Sequence, residues 1–139
     1  VYGEENLDTS LHYETDTFAT SFIENLGGGK FKITPLPVEA QFSSVNDMLL
    51  EDLNGDGNLD ALLIGNLYVS EIETTRNDAG IGLVLLGDGK NNFKPLTNQE
   101  SGFFARGDAK KVKVIHVDNK KIVLVANNND YLQLFMKNN

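Results

Sequence analysis

The clearest chemical signal in this chain is a short stretch in which oxygen-bearing side chains recur at every second position. Carboxylate or amide side chains stand at Asp52, Asn54, Asp56, Asn58 and Asp60. A hard cation such as Ca²⁺ takes six or more oxygen ligands at about 2.3–2.6 Å, and a short chain supplies them only by coiling around the ion. Without a cation, three carboxylates this close together would repel one another. The spacing therefore predicts a calcium site.

Two further positions in the stretch fit the same interpretation. Gly57 follows the third ligand, where a sharp turn requires a residue that tolerates a positive φ. Asn58 stands where such loops turn a backbone carbonyl inward. The expected ligands are therefore four side chains and one carbonyl, namely Asp52, Asn54, Asp56, Asp60 and the carbonyl of Asn58.

The alternative of an EF-hand fails on two counts. An EF-hand needs a bidentate Glu at the twelfth position of its loop, where this chain has Leu63. It also needs flanking helices, whereas residues 61–66 are a short apolar run that ends in turn residues, which favours a strand. The loop is therefore predicted to close a β-hairpin. A polar turn without an ion stays open as an alternative, although two residues would suffice for such a turn.

Composition limits the classes of partner and compartment. The chain has 139 residues and a net charge of −8, so nucleic acid and anionic membranes are poor partners. It contains no apolar run of about 18 residues, so membrane insertion is not expected. With no cysteine, it has no disulfides and no Cys-ligated zinc. Because it begins with Val1 rather than Met, we expect it to derive from a longer chain.

Short apolar runs separated by Gly, Asn and Asp predict an all-β fold with little or no helix. Three of these runs, 62–64, 83–86 and 122–125, are continuously apolar, which is typical of strands buried on both faces. Since no helices are predicted to cover them, we expect stacked antiparallel sheets. The expected strands lie near 11–13, 17–25, 31–34, 45–52, 60–66, 81–87, 93–94, 111–117, 121–126 and 131–136.

The chain also repeats itself with a period of roughly 60 residues, as sheet repeats do. The turn at 26–30 matches the turn at 86–90, and the run 61–66 matches 122–127. In the second copy of the hairpin, His116 aligns with Asp52, Lys121 replaces Asp60, and the loop is three residues shorter. We therefore expect the second copy to bind no calcium.

Residues 51–63 and 85–93 together resemble the FG-GAP/VCBS repeats, which are also found in the β-propeller heads of integrin α-subunits. The resemblance covers about residues 17–136 and implies calcium binding by the loop. It further implies a partial β-propeller of about two to three blades in a single domain, 1–139, that looks like the C-terminal part of a bacterial surface protein. Residues 1–44 would form a lead-in and the outer half of a blade, 45–108 a complete blade with the calcium loop and a connector, and 109–139 the final blade.

Other candidate sites have plainer interpretations. Arg106-Gly107-Asp108 spells a tripeptide that integrins recognise, but it lies in a connector and is interpreted as a turn. Glu71 and Glu73 are interpreted as a solvated face rather than a catalytic pair. Neither His12 nor His116 has neighbours that indicate catalysis, so no catalytic residue is predicted.

These features favour a non-catalytic, calcium-binding surface module that binds a protein or glycan in adhesion, at the cell surface or outside the cell, where calcium is abundant. The alternative is an ancillary or partial domain of a carbohydrate-active enzyme, for which a buried carboxylate pair in a deep pocket would be the sign. Because an incomplete ring leaves sheet faces uncovered, we also expect self-association, with 131–136 as an exposed edge.

Overall fold

A computed structural model describes residues 3–118 and 120–136 of the chain, and over these residues the fold is all-β. Nine strands form three antiparallel sheets of two, four and three strands, in which each strand pairs with its neighbours in sequence. The first sheet contains β1 (Ser21–Gly27) and β2 (Lys30–Pro35). The second contains β3 (Val45–Glu51), β4 (Asp60–Gly65), β5 (Leu83–Gly87) and β6 (Phe93–Leu96). The third contains β7 (Ala109–Val117), β8 (Lys120–Asn127) and β9 (Gln133–Met136).

Helices are few and short among the described residues: α1 (Glu4–Asp8), a 3-10 turn (Val38–Gln41) and α2 (Asn98–Ser101). Helix α2 begins with a capping box, in which the Thr97 hydroxyl accepts from the Glu100 N–H and the Glu100 carboxylate accepts from the Thr97 N–H. The all-β prediction is therefore confirmed, while no closed barrel or propeller is formed by the residues that the structure describes.

The expected strand at 11–13 is wrong, because these residues have no regular structure. Leu11 and Tyr13 are 77% and 85% exposed, so this segment lacks the neighbouring strand that would hold it extended. The strand expected at 17–25 begins later, at Ser21, and continues to Gly27. It can do so because Gly28 and Gly29, with φ of 58° and 75°, suffice for a two-residue hairpin turn.

The strand expected at 81–87 also starts late, at Leu83, because the chain turns at Gly82. Gly82 has a φ of 81°, and a Cβ atom there would lie 2.6 Å from the ring of Phe103. The ring packs where a side chain would otherwise stand, so this position requires glycine.

The second sheet is the centre of the molecule, since it is buried on both faces. Strand β4 is buried from Asp60 to Ile64. On one face, Leu62 and Ile64 pack with Val112 and Val125 of the third sheet. On the other face lies a second core cluster that includes Ala61, Leu63, Leu85 and Ala40 of the 3-10 turn, with Leu36 and Phe93 packed against it. The first sheet joins this side through Phe22, whose ring centroid lies 5.6 Å from that of Phe93.

Strand β8 departs from the expectation for continuously apolar strands. Only Val125 of its apolar run is fully buried, and Ile122, Val123 and Leu124 are half-buried. The third sheet packs on the second with one face, and nothing among the described residues covers the other. The third sheet is thus the end of the stack.

The side chain of Asn66, which directly follows β4, hydrogen-bonds to three segments that flank the strands of the second and third sheets. It is 1% exposed and has a φ of 90°, which is uncommon for a residue with a side chain. Its Oδ1 accepts from the Ser43 hydroxyl (2.6 Å) and the Gly80 N–H (2.8 Å). Its Nδ2 donates to the carbonyls of Gly80 and Gly107, both at 2.8 Å. Residues 67–79 form a long polar connection between β4 and β5, which we call the polar excursion. The Asn66 amide holds the two ends of this connection together.

Candidate metal centre

The predicted calcium loop lies at the tip of the β3–β4 hairpin. Glu51 pairs with Asp60 as the last pair of the ladder, and residues 52–59 form the loop between them. Because the rest of β4 is buried, the base of the loop is fixed by the core, while residues 54–57 and Leu59 are exposed. The prediction of a hairpin is therefore confirmed.

The side chain of Asp52 organises the loop from within. Its Oδ1 accepts from the backbone N–H groups of Gly55 (2.6 Å) and Asp56 (3.2 Å), and its Oδ2 accepts from that of Gly57 (2.9 Å). Gly55 and Gly57 have φ of 89° and 86°, so the positive φ predicted for Gly57 is confirmed. The loop thus coils around one carboxylate, which accepts three backbone N–H groups.

Asn54 and Asp56 also turn toward the loop. The Asn54 Oδ1 accepts from the Asp56 N–H at 2.9 Å, and its Nδ2 donates to the Asp56 Oδ2 at 2.9 Å. The Asp56 Oδ1 accepts from the Asn58 N–H at 2.8 Å. The side-chain hydrogen bond from Asn54, followed by the backbone hydrogen bond from Asn58, holds the pKa of Asp56 below its ordinary value. Asp56 is therefore a full negative charge at neutral pH, as a calcium ligand must be.

Asp60 stands at the base of the loop and is completely buried, with 0% of its surface exposed. Its Oδ2 accepts from the Leu53 N–H and its Oδ1 from the Gly87 N–H, both at 2.9 Å. Within the described part of the chain, no ion pair involves Asp60. A buried carboxylate is costly unless its charge is compensated, and two neutral amides compensate it only in part.

The neighbouring β5–β6 hairpin supports the loop at two glycines that sequence reasoning did not single out. A Cβ atom at Gly87 would lie 2.2 Å from the Leu59 carbonyl oxygen, and one at Gly89 would lie 2.4 Å from the Asn58 Oδ1. Both positions therefore require glycine if the hairpin is to approach the loop this closely. The recurrence of the Gly-x-Gly turn at 26–30 and 86–90 was the signal available in the sequence.

The donor set fits a hard cation in its chemistry. Each carboxylate has about four acceptor positions, so the oxygens that accept N–H groups keep lone pairs for a metal. The structure brings Asp52, Asn54 and Asp56 together through hydrogen bonds and sets Asp60 beneath them. Among residues 3–118 and 120–136, no three His, Cys, Asp or Glu side chains are grouped as in a metal site. Two of the five predicted ligands are asparagines, which supply an amide or backbone oxygen instead.

The second copy of the hairpin has a much shorter tip. Val117 pairs with Lys120, and Asp118 has a φ of 47° in the turn between them. Lys121, which aligns with Asp60, is 41% exposed in its side chain and forms an ion pair with Glu51 next to the candidate metal loop. When the two ladders are matched at their register shifts, however, Ile122 rather than Lys121 is the residue equivalent to Asp60, because Glu51 pairs with Asp60 and the equivalent Ile115 pairs with Ile122.

All three residues of the tripeptide Arg106-Gly107-Asp108 make contacts within the protein. Asp108 is only 3% exposed, and its Oδ1 lies 2.6 Å from the Lys110 ammonium. The carbonyl of Gly107 accepts from Asn66, while the Arg106 guanidinium lies over the ring of Phe104. The Asp108 carboxylate therefore faces the protein, and the interpretation of the tripeptide as a structural connector is confirmed.

Neither of two cavities formed by the described residues is lined by a pair of carboxylates. One, of about 280 Å³, is lined by apolar and small residues with Glu39 as its acidic residue. Another, of about 270 Å³, lies between the first sheet and the β5–β6 turn and has no acidic residue in its lining. Glu71 and Glu73 are exposed, as expected for a solvated face.

Comparison of the chain with protein-family models, curated proteins and solved structures finds no match. The resemblance to FG-GAP/VCBS repeats thus stays a prediction from the sequence. Within the part of the chain that the structure describes, no helix has the length and apolar character needed to span a bilayer.

Proposed function

We propose that this chain is a non-catalytic, calcium-stabilised module of a larger bacterial surface or secreted protein, where it serves adhesion by binding a protein or glycan. The observation that carries the proposal is the β3–β4 loop, in which Asp52, Asn54 and Asp56 turn inward above the buried Asp60. Three carboxylates within nine residues are an unfavourable arrangement unless a cation neutralises them.

The proposed ligands are the side chains of Asp52, Asn54, Asp56 and Asp60 and the carbonyl of Asn58. Since the loop lacks the bidentate Glu of an EF-hand, the expected dissociation constant is on the order of 10⁻⁵–10⁻³ M. Such an affinity suits a compartment with millimolar calcium, which supports a location outside the cell.

The role of the ion would be to neutralise the loop and fix the hairpin. It would compensate the charge of Asp60, whose two amide partners link the loop to the β5–β6 turn. At a concentration about 100 times the dissociation constant, binding to the native state alone stabilises a fold by about 2.7 kcal/mol.

The finer architecture that we propose is a partial propeller of FG-GAP/VCBS-like repeats. The first sheet would be the outer half of one blade, the second a complete blade and the third most of a final blade. The repetition of the hairpins supports this assignment. The β3–β4 ladder has a register shift between Val45 and Asp47, and the β7–β8 ladder has one between Ala109 and Lys111, at the matching position.

The proposal is tested by thermal unfolding in chelator and in millimolar calcium, with millimolar magnesium as the control cation. Calcium should raise the midpoint by about 10 °C and magnesium by much less, because Mg²⁺ demands a tighter octahedral site. Superimposed curves in chelator and calcium would overturn the calcium assignment. Isothermal titration calorimetry of the same protein should give one site per chain.

A further inference from the structure

The outer face of the third sheet is apolar, and none of the residues that the structure describes covers it. Across the three strands, Ile115 pairs with Ile122, Ile122 pairs with Met136, and Leu124 pairs with Leu134. These side chains point away from Val112, Val125 and Phe135, which pack in the core, because successive residues of a strand face opposite sides. Leu134 and Met136 are 61% and 59% exposed. We call these five residues, Ile115, Ile122, Leu124, Leu134 and Met136, the outer face.

The outer face carries positive charge at its margin. Lys113 and Lys120 are exposed and share its side of the sheet by register. Of the five lysines in residues 109–136, Lys110, Lys111 and Lys121 form ion pairs with acidic residues of the same chain. None of the ion pairs among the described residues involves Lys113 or Lys120. An apolar surface with a cationic margin fits a partner segment that is apolar and acidic.

The N-terminal segment, residues 3–18, has that composition. It contains five acidic residues and neither lysine nor arginine. Leu11, Tyr13 and Phe18 are 77%, 85% and 94% exposed. Its hydrogen bonds, such as that from the Ser10 hydroxyl to the Leu7 carbonyl, are local. Leu11 and Tyr13 alternate with His12 and Glu14, so an extended segment would present apolar groups on one side and polar groups on the other.

We propose that the N-terminal segment of a second copy of this chain lies on the outer face. Leu11 and Tyr13 cover Leu134 and Met136, and the acidic residues of the segment face Lys113 and Lys120. The contact joins two different surfaces, so it is heterologous and can extend into rings or chains of copies.

The order of the sheets favours a second copy over the same chain. The segment enters β1 of the first sheet, which lies on the opposite side of the second sheet from the third. Stacked sheets are about 10 Å apart, so the third sheet lies about 20 Å from the first. Tyr13 and Ala19 are six positions apart in the chain, and six residues span at most about 20 Å. Within one copy, Tyr13 cannot pass around the second sheet and reach the middle of the outer face.

The test is light scattering of the complete chain over a range of concentrations, at low and high salt. We expect association that grows with concentration and weakens with salt, since salt screens the charges that face each other. Leu134→Ser, and separately the pair Leu11→Ser and Tyr13→Ser, should each weaken association by about tenfold or more. The matched control is the pair Val69→Ser and Ile72→Ser, which removes apolar groups that are 75% and 104% exposed on the polar excursion.

Two further measurements isolate the segment and its charge. A synthetic peptide of residues 3–18 should bind the complete chain and dissociate its assemblies. Lys113→Glu should weaken association, whereas Lys90→Glu, the same charge change on an exposed turn, should not. Unfolding curves establish that each variant is folded. A monomer at every concentration, or assembly that neither Leu134→Ser nor the peptide affects, overturns the proposal. Because the calcium loop takes no part, these results in chelator are independent of the calcium assignment.

Discussion

The β3–β4 and β7–β8 hairpins are two versions of one structure with opposite chemistry at their tips. Each has a register shift near its base, and each continues as an antiparallel ladder to its tip. The first tip contains eight residues between Glu51 and Asp60, whereas in the second Val117 pairs with Lys120 across a tight turn. The strands therefore determine the hairpin, and the tip can change without changing the sheet.

The difference also shows what the long tip requires from its surroundings. In the first hairpin, the buried Asp60 accepts two backbone N–H groups, one from the loop and one from Gly87. In the second, Lys121 reaches out to Glu51 of the first hairpin. The acidic loop is thus anchored to its own sheet by the hydrogen bonds of Asp60, whereas the short turn of the second hairpin has no corresponding anchor among the described residues. Four predictions test this difference between the two hairpins.

The largest expected effect comes from Asp60→Ala. Its loss removes a fully buried carboxylate that accepts from the N–H groups of Leu53 and Gly87, so the free energy of unfolding in chelator should fall by about 2–5 kcal/mol. Urea unfolding monitored by circular dichroism measures the change. An effect as small as that of a surface substitution would show that Asp60 does not anchor the loop.

Asp56→Ala should remove most of the calcium-dependent gain, which is about 2.7 kcal/mol at 100 times the dissociation constant. In chelator its stability should be unchanged or slightly higher, because the substitution also removes a repulsive charge. Asp118→Asn, at the tip of the second hairpin, is the matched control and should respond to calcium like the unmodified chain. Midpoints of thermal unfolding with and without calcium distinguish the two, and an equal calcium response in both variants contradicts the proposed ligand.

The residue just before the first strand differs between the two hairpins, and with it the expected dependence of stability on pH. Burial acts to raise the pKa of Asp108, but hydrogen bonds from Lys110 and Asn128 outweigh burial and hold that pKa below its ordinary value. The stability from this group is present above the unfolded pKa of about 4 and is lost as the pH falls through the lower folded value. Ser44, at the matching position of the first hairpin, does not titrate.

Asp108→Asn should therefore flatten the decline in stability below about pH 4. At pH 7 it should cost about 1.5 kcal/mol, the scale of a hydrogen bond to a charged group. Urea unfolding between pH 2 and pH 7 measures both effects. An acid response identical to that of the unmodified chain would assign the acid sensitivity to other carboxylates.

The smallest effect should come from Lys121→Ala. The ammonium is partly exposed, and ion pairs of this kind contribute about 0–1 kcal/mol. Unfolding in chelator should change by no more than that, in contrast to Asp60→Ala at the aligned position. Loss of a positive charge near Glu51 should slightly favour calcium, which titration calorimetry can measure. If Lys121→Ala lowered the free energy of unfolding as much as Asp60→Ala does, the proposed difference between the two hairpin tips would be wrong.

The sequence predicted the strands well where apolar runs were bounded by turn residues, as in β3 and β4. It placed strand ends less well where a tertiary contact decides them, as at Gly82, which faces the ring of Phe103. It predicted a strand at 11–13 from local composition, but a strand needs a partner, and pairing is not a local property. The capping box at Thr97 and Glu100 was readable in the sequence as a helix start and was missed.

For the candidate site, alternation of Asp and Asn along the chain was enough to identify the loop and the turn at Gly57. The full burial of Asp60 and the approach of Gly87 and Gly89 were not readable, because they depend on how a second hairpin packs on the first. Alignment of the two hairpins in the sequence showed Lys121 in place of Asp60. The ion pair between Lys121 and Glu51 could not be predicted, because it depends on how the second and third sheets stack.

The Asn66 side chain has a consequence for engineering. It joins the chain at Ser43, Gly80 and Gly107, so the residues between Leu67 and Ala79 leave and re-enter the fold at one fixed point. A surface loop whose ends are held together tolerates replacement, since lengthening it costs little entropy. Foreign peptides, epitopes or affinity tags can therefore be grafted between these ends, with Asn66 and Gly80 kept as the fixed pair.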